Sequence, residues 1–229
     1  MTKKEYAAIE AYMLSQMKDS THDKYHIYRV LNAACDISNH VDLAVDMDVL
    51  IAACLLHDIG RPKQAADPKL CHAKVGSEMA YEFLLFQKWE LQKVLHVKDC
   101  IATHRFRRNN LPQSIEAKIL FDADKLDICG AMGIARTLTY SGQFLYPIYV
   151  LDENSNVITK REGDHTPSFF QEYNYKLNIY NSFFTEYAKE VASKRKQAAT
   201  DFYNSLLSEI TFNYEHGIKH CAAVLNEEK

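Results

Sequence analysis

The sequence has little of the two residues that interrupt helices, since only seven glycines and five prolines occur among its 229 residues. It also lacks any Cys-x-x-Cys pair, because its six cysteines are scattered along the chain at positions 35, 54, 71, 100, 129 and 221. This spacing argues against a zinc finger and favours reduced thiols that pack as small apolar side chains.

Long apolar segments are missing as well. No run approaches the ~20 apolar residues that cross a bilayer, and the first five residues, Met-Thr-Lys-Lys-Glu, do not begin a signal peptide. We therefore expect a cytoplasmic protein that does not bind membranes.

Neither sign of charge is in large excess. The net charge of −3 lacks the basic bias that binding to duplex nucleic acid demands, although a local cluster of cations can still bind a small anion. A chain of this length, 47% hydrophobic, can bury a sizeable core, and no repeat or linker divides it. We expect a single domain over residues 1–229.

Helical periodicity dominates what is present. It predicts helices over residues 4–17, 23–39, 46–58, 72–86, 89–104, 114–129 and 130–139. Residues 143–165 differ, since apolar residues flank a turn-like segment and predict a small hairpin or lid. C-terminal helices are predicted over about 166–225, beginning with a capping box of Ser168 and Gln171. Aromatic residues in this region recur at helical spacing, which indicates either a helix that closes over the core or a homodimer contact.

His57 and Asp58 directly follow a near-continuous apolar run, from Val49 to Leu56. Burying an unpaired imidazole and carboxylate costs several kcal/mol, so this position requires a compensating charge. Both side chains are ligands of divalent cations, and the carboxyl end of a helix also attracts a cation. The pair predicts a metal site, although a His-Asp dipeptide alone is a common occurrence.

Two other segments offer similar side chains. His26 shares a helix face with apolar residues such as Val30, so it is expected to point toward the core. Asp124 and Asp127 stand one turn apart on a later helix, where one face can present both a ligand and a second acid. Asp122 lies about 200° around that helix from Asp124 and is expected to face elsewhere.

The order His26, His57-Asp58, Asp124 resembles that of the HD-domain metal-dependent phosphohydrolases. Within that superfamily, the stretches LLHDIG, EAKILFDADKLD and GAMGIARTLTYSG are similar to the bacterial YpgQ/YedJ-like family, and the resemblance covers about residues 23–142. It implies an all-α helical bundle with a metal-binding core over about residues 20–142. It also implies that His26, His57, Asp58 and Asp124 hold a divalent metal ion, with Mn, Mg, Co, Fe, Ni and Zn all open.

The activity that this resemblance implies is hydrolysis of phosphate ester or anhydride bonds. The expected partner is a small phosphorylated molecule, with a nucleotide favoured, and some relatives release pyrophosphate from nucleoside triphosphates. A nucleotide-binding module that keeps the metal without turnover is the alternative from a different class.

His72 and His104 stand at points comparable to those where binuclear HD-domain enzymes have additional ligands. They predict a second metal, as in a binuclear phosphodiesterase, or contacts with substrate phosphate. A hydrogen-bonded structural role is the alternative for each.

The segment after the His-Asp pair, Ile-Gly-Arg-Pro-Lys, lacks the acidic residue that related nucleotidases often have there. We therefore expect Asp58 to act in catalysis with the metal, and Asp127 to be the general base unless the metal activates water without one.

Phosphate recognition requires cations, for which Lys63, Arg105 and Arg136 are the candidates. Arg107 and Arg108 extend the cluster after His104 but are equally expected to be solvated surface charges. Arg29, on the helix of His26, is expected to reach a carboxylate or a helix end.

Overall fold

The computed structural model describes residues 1–17, 24–105, 109–160 and 167–227. The regular elements of these residues are helices, as the periodicity predicts. The α-helices are α1 (Lys3–Gln16), α2 (Lys24–Ser38), α3 (Met47–Leu56), α4 (Arg61–Ala66), α5 (His72–Phe86), α6 (Leu91–Thr103), α7 (Ile115–Leu126), α8 (Gly130–Gln143), α9 (Phe169–Lys176) and α10 (Glu186–Glu227). A 3₁₀ helix covers Leu177–Asn181. No helix within these described ranges is long and apolar enough to cross a membrane.

The chain forms two compact units. The first consists of Met1–Asp127 with Ser182–Val191, and the second consists of Ile128–Asn181 with Ala192–Lys229. The expectation of one domain over residues 1–229 stays a prediction.

Helix α3 is the centre of the first unit. It packs against α1, α2, α5, α6 and α7, which explains why its sequence is apolar on nearly every face. Asp46 caps its start, because the carboxylate accepts hydrogen bonds from the amides of Asp48 (3.0 Å) and Val49 (3.2 Å). The helix ends at Leu56, two residues earlier than predicted, so His57 and Asp58 lie in the turn that follows.

A short helix that the periodicity does not predict, α4, follows this turn. Pro62 lies in its first turn, where a missing N–H has no cost. Directly before it, Gly60 approaches α5 so closely that a Cβ atom there would lie 2.2 Å from the carbonyl oxygen of His72 and 2.6 Å from the amide of Gly76. The two glycines thus bring the turn after α3 against the start of α5.

The second unit contains α8, α9, the 3₁₀ helix and most of α10. An antiparallel bridge joins Leu151 and Val157, which confirms a small hairpin in the predicted segment. The predicted capping box at the start of α9 is present, since Ser168 and Gln171 bond reciprocally. The aromatic residues around α9 are core residues: Phe169, Phe170 and Tyr173 are buried together with Ile134 and Ala199.

Candidate metal centre

The metal ligands expected from the sequence form one buried cluster in the first unit. His57 and Asp58 are fully buried after α3, while α2 contributes His26 and α7 contributes Asp124. The Nε2 atom of His26 lies 3.6 Å from Asp58 Oδ2 and 3.6 Å from Asp124 Oδ1. The Nε2 atom of His57 is also 3.6 Å from Asp58 Oδ2. His26, His57 and Asp58 thus offer ligand atoms close enough together for one ion.

A second group of ligand atoms lies close to the other carboxylate oxygen of Asp58, Oδ1. His72 begins α5 and His104 follows the end of α6, and both are buried. Their Nε2 atoms lie 3.5 Å and 3.6 Å from Asp58 Oδ1, and 3.3 Å from each other. The carboxylate of Asp58 therefore stands between two sets of imidazoles, each of which could hold an ion with it.

All four imidazoles are oriented in the same way. Each Nδ1 atom faces an oxygen that can only accept, so the Nδ1 atom carries the proton and the Nε2 atom keeps its lone pair. The acceptors are Asp127 Oδ2 for His26 (2.7 Å), the Cys54 carbonyl for His57 (2.8 Å), Gln64 Oε1 for His72 (2.6 Å) and the Ile101 carbonyl for His104 (2.6 Å).

The protonation states suit a cation. Burial lowers the pKa of His57 to about 4, and burial together with the charge of Arg61 lowers the pKa of His72 to about 2. Burial alone would raise the pKa of Asp58, but Arg61 and the His57 ring outweigh it and hold this pKa well below its usual range. At neutral pH the rings of His57 and His72 are thus neutral and the carboxylate of Asp58 is ionised, the forms that bind metals.

The buried atoms His57 Nε2 and Asp58 Oδ1 have no hydrogen-bond partner in the part of the chain that the structure describes. Such orphaned polar atoms are costly in a protein interior, and a bound divalent cation would satisfy both. The residues present therefore fit the metal that the sequence implies.

Asp124 also has a cation beside it. Lys125 donates a hydrogen bond to Asp124 Oδ2, which leaves Oδ1 on the side of His26. Burial would raise the pKa of Asp124, but the charge of Lys125 and the neighbouring rings hold it well below its usual range.

Asp127 is bound on both oxygens. Besides His26, it accepts hydrogen bonds from Arg29, whose Nε lies 2.6 Å from Oδ1 and whose Nη2 lies 3.0 Å from Oδ2. Arg29 thus reaches a carboxylate, as expected. These contacts are those of a residue that orients an imidazole.

Asp122 faces away from the cluster, as the helical geometry predicts. Its carboxylate accepts hydrogen bonds from the amides of Phe184 (2.9 Å) and Thr185 (2.7 Å) and from the Thr185 hydroxyl (2.7 Å). Burial raises its pKa despite these bonds. Its contacts are structural, because they hold the chain just before α10.

The cations predicted to bind phosphate lie in different surroundings. Lys63 is exposed on α4, and the Nη1 atom of Arg105 lies 3.3 Å from Cys71 Sγ. Arg136 belongs to α8 in the second unit, while Arg107 and Arg108 lie outside the described residues. Phosphate binding by these side chains stays a prediction.

Arg61 is the cation that the sequence reasoning missed. Its Nε donates a hydrogen bond of 2.7 Å to Asp58 Oδ2. A signal was present, because an acid and a base three residues apart can pair when the segment is helical or turns tightly. No sequence signal indicates Gln64 as the partner of His72, since that contact depends on how α4 packs against α5.

Comparison with known proteins identifies similar sequences and folds. Residues 24–129 match the family model described as "HD domain". The protein YpgQ of Bacillus subtilis (strain 168) is 27% identical over 197 residues, which are 84% of this chain and 86% of YpgQ. The crystal structure of YpgQ in complex with ADP shares the fold, with a TM-score of 0.68 and 24% identity, covering 90% of this chain and 97% of that chain.

Two further solved structures are similar. An HD superfamily hydrolase from an uncultured Thermotogales bacterium is 28% identical, with a TM-score of 0.60, and covers 90% of this chain and 92% of its own. A protein of Lactobacillus plantarum is 26% identical, with a TM-score of 0.73, and covers 92% of this chain and 99% of its own.

Proposed function

From the membership of this chain in the HD-domain superfamily, we propose that it is a metal-dependent phosphohydrolase acting on phosphate ester or anhydride bonds of nucleotides. The observation that carries the proposal is the convergence of His26, His57, Asp58 and Asp124 in one buried cluster. The complex of YpgQ with ADP supports a nucleotide as the ligand class.

A divalent ion bound by these four residues would polarise a phosphoryl group and lower the pKa of a water molecule. The residues of the chain prepare the centre for that chemistry. Asp127 orients the ring of His26, and the Cys54 carbonyl orients the ring of His57. Because both oxygens of Asp127 already accept hydrogen bonds, its geometry supports positioning of His26 more than removal of a proton from water.

The specific reaction proposed is hydrolysis of a nucleoside triphosphate. Water attacks a phosphorus atom, the bond to the departing phosphate oxygen breaks, and the products are a nucleoside monophosphate and pyrophosphate. The choice of a nucleoside triphosphate rests on analogy with the superfamily and not on a contact within this structure.

The test is a measurement of phosphate and pyrophosphate release from a panel of ribonucleotides, deoxyribonucleotides and cyclic dinucleotides. Each reaction contains Mn²⁺, Mg²⁺, Co²⁺ or a chelator. Release that requires metal and is lost in a folded Asp58→Ala variant supports the proposal. Asp99→Ala removes an exposed carboxylate on α6 and is the matched control. Absence of release across the panel, with metal bound, contradicts the nucleotidase.

In that second outcome the panel also tests the non-catalytic alternative. A nucleotide-binding module would be stabilised against heat by a nucleotide without forming a product.

A binuclear centre, as in a phosphodiesterase, is a second candidate because of one specific observation. The Nε2 atoms of His72 and His104 lie 3.3 Å apart, and both Nδ1 atoms carry the ring proton in the orientation described above. Two lone pairs this close repel each other unless a cation lies beside them. Asp58 Oδ1, near both rings, would complete the second site.

Metal counting tests this candidate. We expect about two ions per chain in the wild-type protein and about one in His72→Ala. His96→Ala, on the same α6 that precedes His104 but paired with Glu116 at 3.1 Å, is the control and should keep both ions. One ion in all three proteins would exclude the binuclear centre.

A further inference from the structure

Arg61 combines a fixed position with unused donors. Its Nε bonds to Asp58 Oδ2 at 2.7 Å, and its side chain makes no other hydrogen bond or ion pair with the described residues. The side chain is 27% exposed. A guanidinium has a fork of several N–H donors, so its two terminal amino groups remain available to a ligand.

Three other cations near the cluster differ from Arg61 in one of these two properties. Lys125 is bound to Asp124 and its side chain is only 10% exposed. Arg29 uses both Nε and Nη2 on Asp127. Lys63 is exposed, but no carboxylate among the described residues fixes its position. Of these four cations, Arg61 alone is both bound to a candidate metal ligand and partly exposed to solvent.

We propose that Arg61 is a phosphate-binding residue of the metal centre, held in place by Asp58. This inference rests on the proposed function, since it requires a phosphorylated ligand at the centre. A guanidinium fork matches the oxygens of a phosphate, and an Arg that is already oriented loses less entropy when the phosphate binds.

The charges of the centre favour such a residue. A phosphate that approaches the ionised carboxylates of Asp58 and Asp124 is repelled by both, and Arg61 adds to the positive charge that a divalent cation would supply there. Arg61 donates to the same oxygen that faces His26 and His57. A phosphate bound beside that oxygen therefore meets a positive charge next to the metal.

The experiment measures binding rather than turnover. Isothermal titration gives the Kd of ADP and of pyrophosphate for Mn²⁺-saturated protein, and a separate titration gives the affinity and number of Mn²⁺ ions. Arg61→Met removes the charge, Arg61→Lys restores it without the fork, and Lys69→Met removes an exposed charge further along the same segment as the control.

We expect Arg61→Met to bind both probes about tenfold or more weakly, with Mn²⁺ binding unchanged, and Arg61→Lys to recover part of the loss. The control should match the wild-type protein. Unchanged affinity for both probes in Arg61→Met overturns the proposal. So does a loss of Mn²⁺ affinity with normal probe binding at saturating Mn²⁺, because Arg61 would then only position Asp58.

This test and that of the proposed function fail separately. A wild-type protein that binds ADP through Arg61 but hydrolyses no nucleotide contradicts the phosphohydrolase and supports the role of Arg61. Equal hydrolysis of nucleotides and equal affinity for the probes in the wild-type protein and in Arg61→Met support the phosphohydrolase and overturn the role of Arg61. A wild-type protein that binds neither probe at millimolar concentration overturns the role of Arg61.

Discussion

Each imidazole of the candidate metal centre is fixed by a second group, and these groups differ in kind. His57 and His104 use the carbonyls of residues three positions earlier in the chain, Cys54 and Ile101. Such contacts are local and follow from the backbone of a helix end. His26 instead relies on Asp127, which is 101 residues away, so its orientation depends on how α2 packs against α7.

This long-range contact makes Asp127 the residue whose role is most informative to test. Asp127→Asn keeps an oxygen for His26 but removes the charge that Arg29 pairs with at 2.6 Å. The His26 ring then loses a partner that raises its basicity, and we expect metal affinity to fall about 10- to 100-fold. Competition with a fluorescent metal chelator measures this affinity.

Asp99→Asn, on the exposed side of α6, is the control for that measurement. If Asp127→Asn and the control bind the metal equally tightly, the carboxylate of Asp127 does not support His26. If affinity is unchanged while turnover and its pH profile change, Asp127 is the general base that the sequence analysis expects.

At the scale of elements, the centre is assembled from helix ends. The end of α3 contributes the His57-Asp58 turn, the start of α5 contributes His72, and the end of α6 contributes His104. The close approach of Gly60 to the backbone of α5 brings the first two together. A side chain at position 60 would therefore change the distance between Asp58 and His72.

We expect Gly60→Ala to be destabilising by about 1–3 kcal/mol, because its Cβ would overlap backbone atoms that have little room to move. Urea unfolding measures the change. Gly142→Ala is the matched control. Apart from its own stretch of the exposed end of α8, no atom of the described residues lies within 4 Å of its Cβ position. That variant should be neutral or slightly stabilised. Equal stability of the two variants would contradict a tight contact at Gly60.

At the scale of the whole molecule, the buried histidines link stability to pH. The pKa of His57 is about 4 in the folded protein, against an ordinary value of 6.5. Between these values the unfolded chain takes up a proton that the folded chain does not, so acidification favours unfolding. The pKa of His72 is lowered even further, to about 2, and acts in the same direction.

We therefore expect the metal-free protein to lose stability as the pH falls from 7.5 to 5.0, with about 2 kcal/mol of the loss due to His57. Urea unfolding in the presence of a chelator measures it at both pH values. His57→Asn should show a shallower dependence over this interval because position 57 no longer titrates. An equally steep dependence in this variant would contradict the assignment.

Much of the fold and of the centre could be predicted from the sequence, because the signals involved are local. Helix α5 has the predicted bounds. Helix α3 begins one residue later than predicted, after its N-cap Asp46, and ends two residues earlier, because a continuous apolar run does not show where a helix stops. Helix α4 was missed, since six residues with Pro62 near the start are too few for periodicity.

The sequence by itself determined the helical class, the buried His57-Asp58 pair and the inward-facing His26, because periodicity and the cost of burying polar groups act along the chain. Tertiary structure decided which atoms meet. Packing turned the two oxygens of Asp58 toward two different pairs of histidines and placed Arg61 on one of them. Such contacts depend on distances across space between several helix ends, and no spacing within a single helix encodes them.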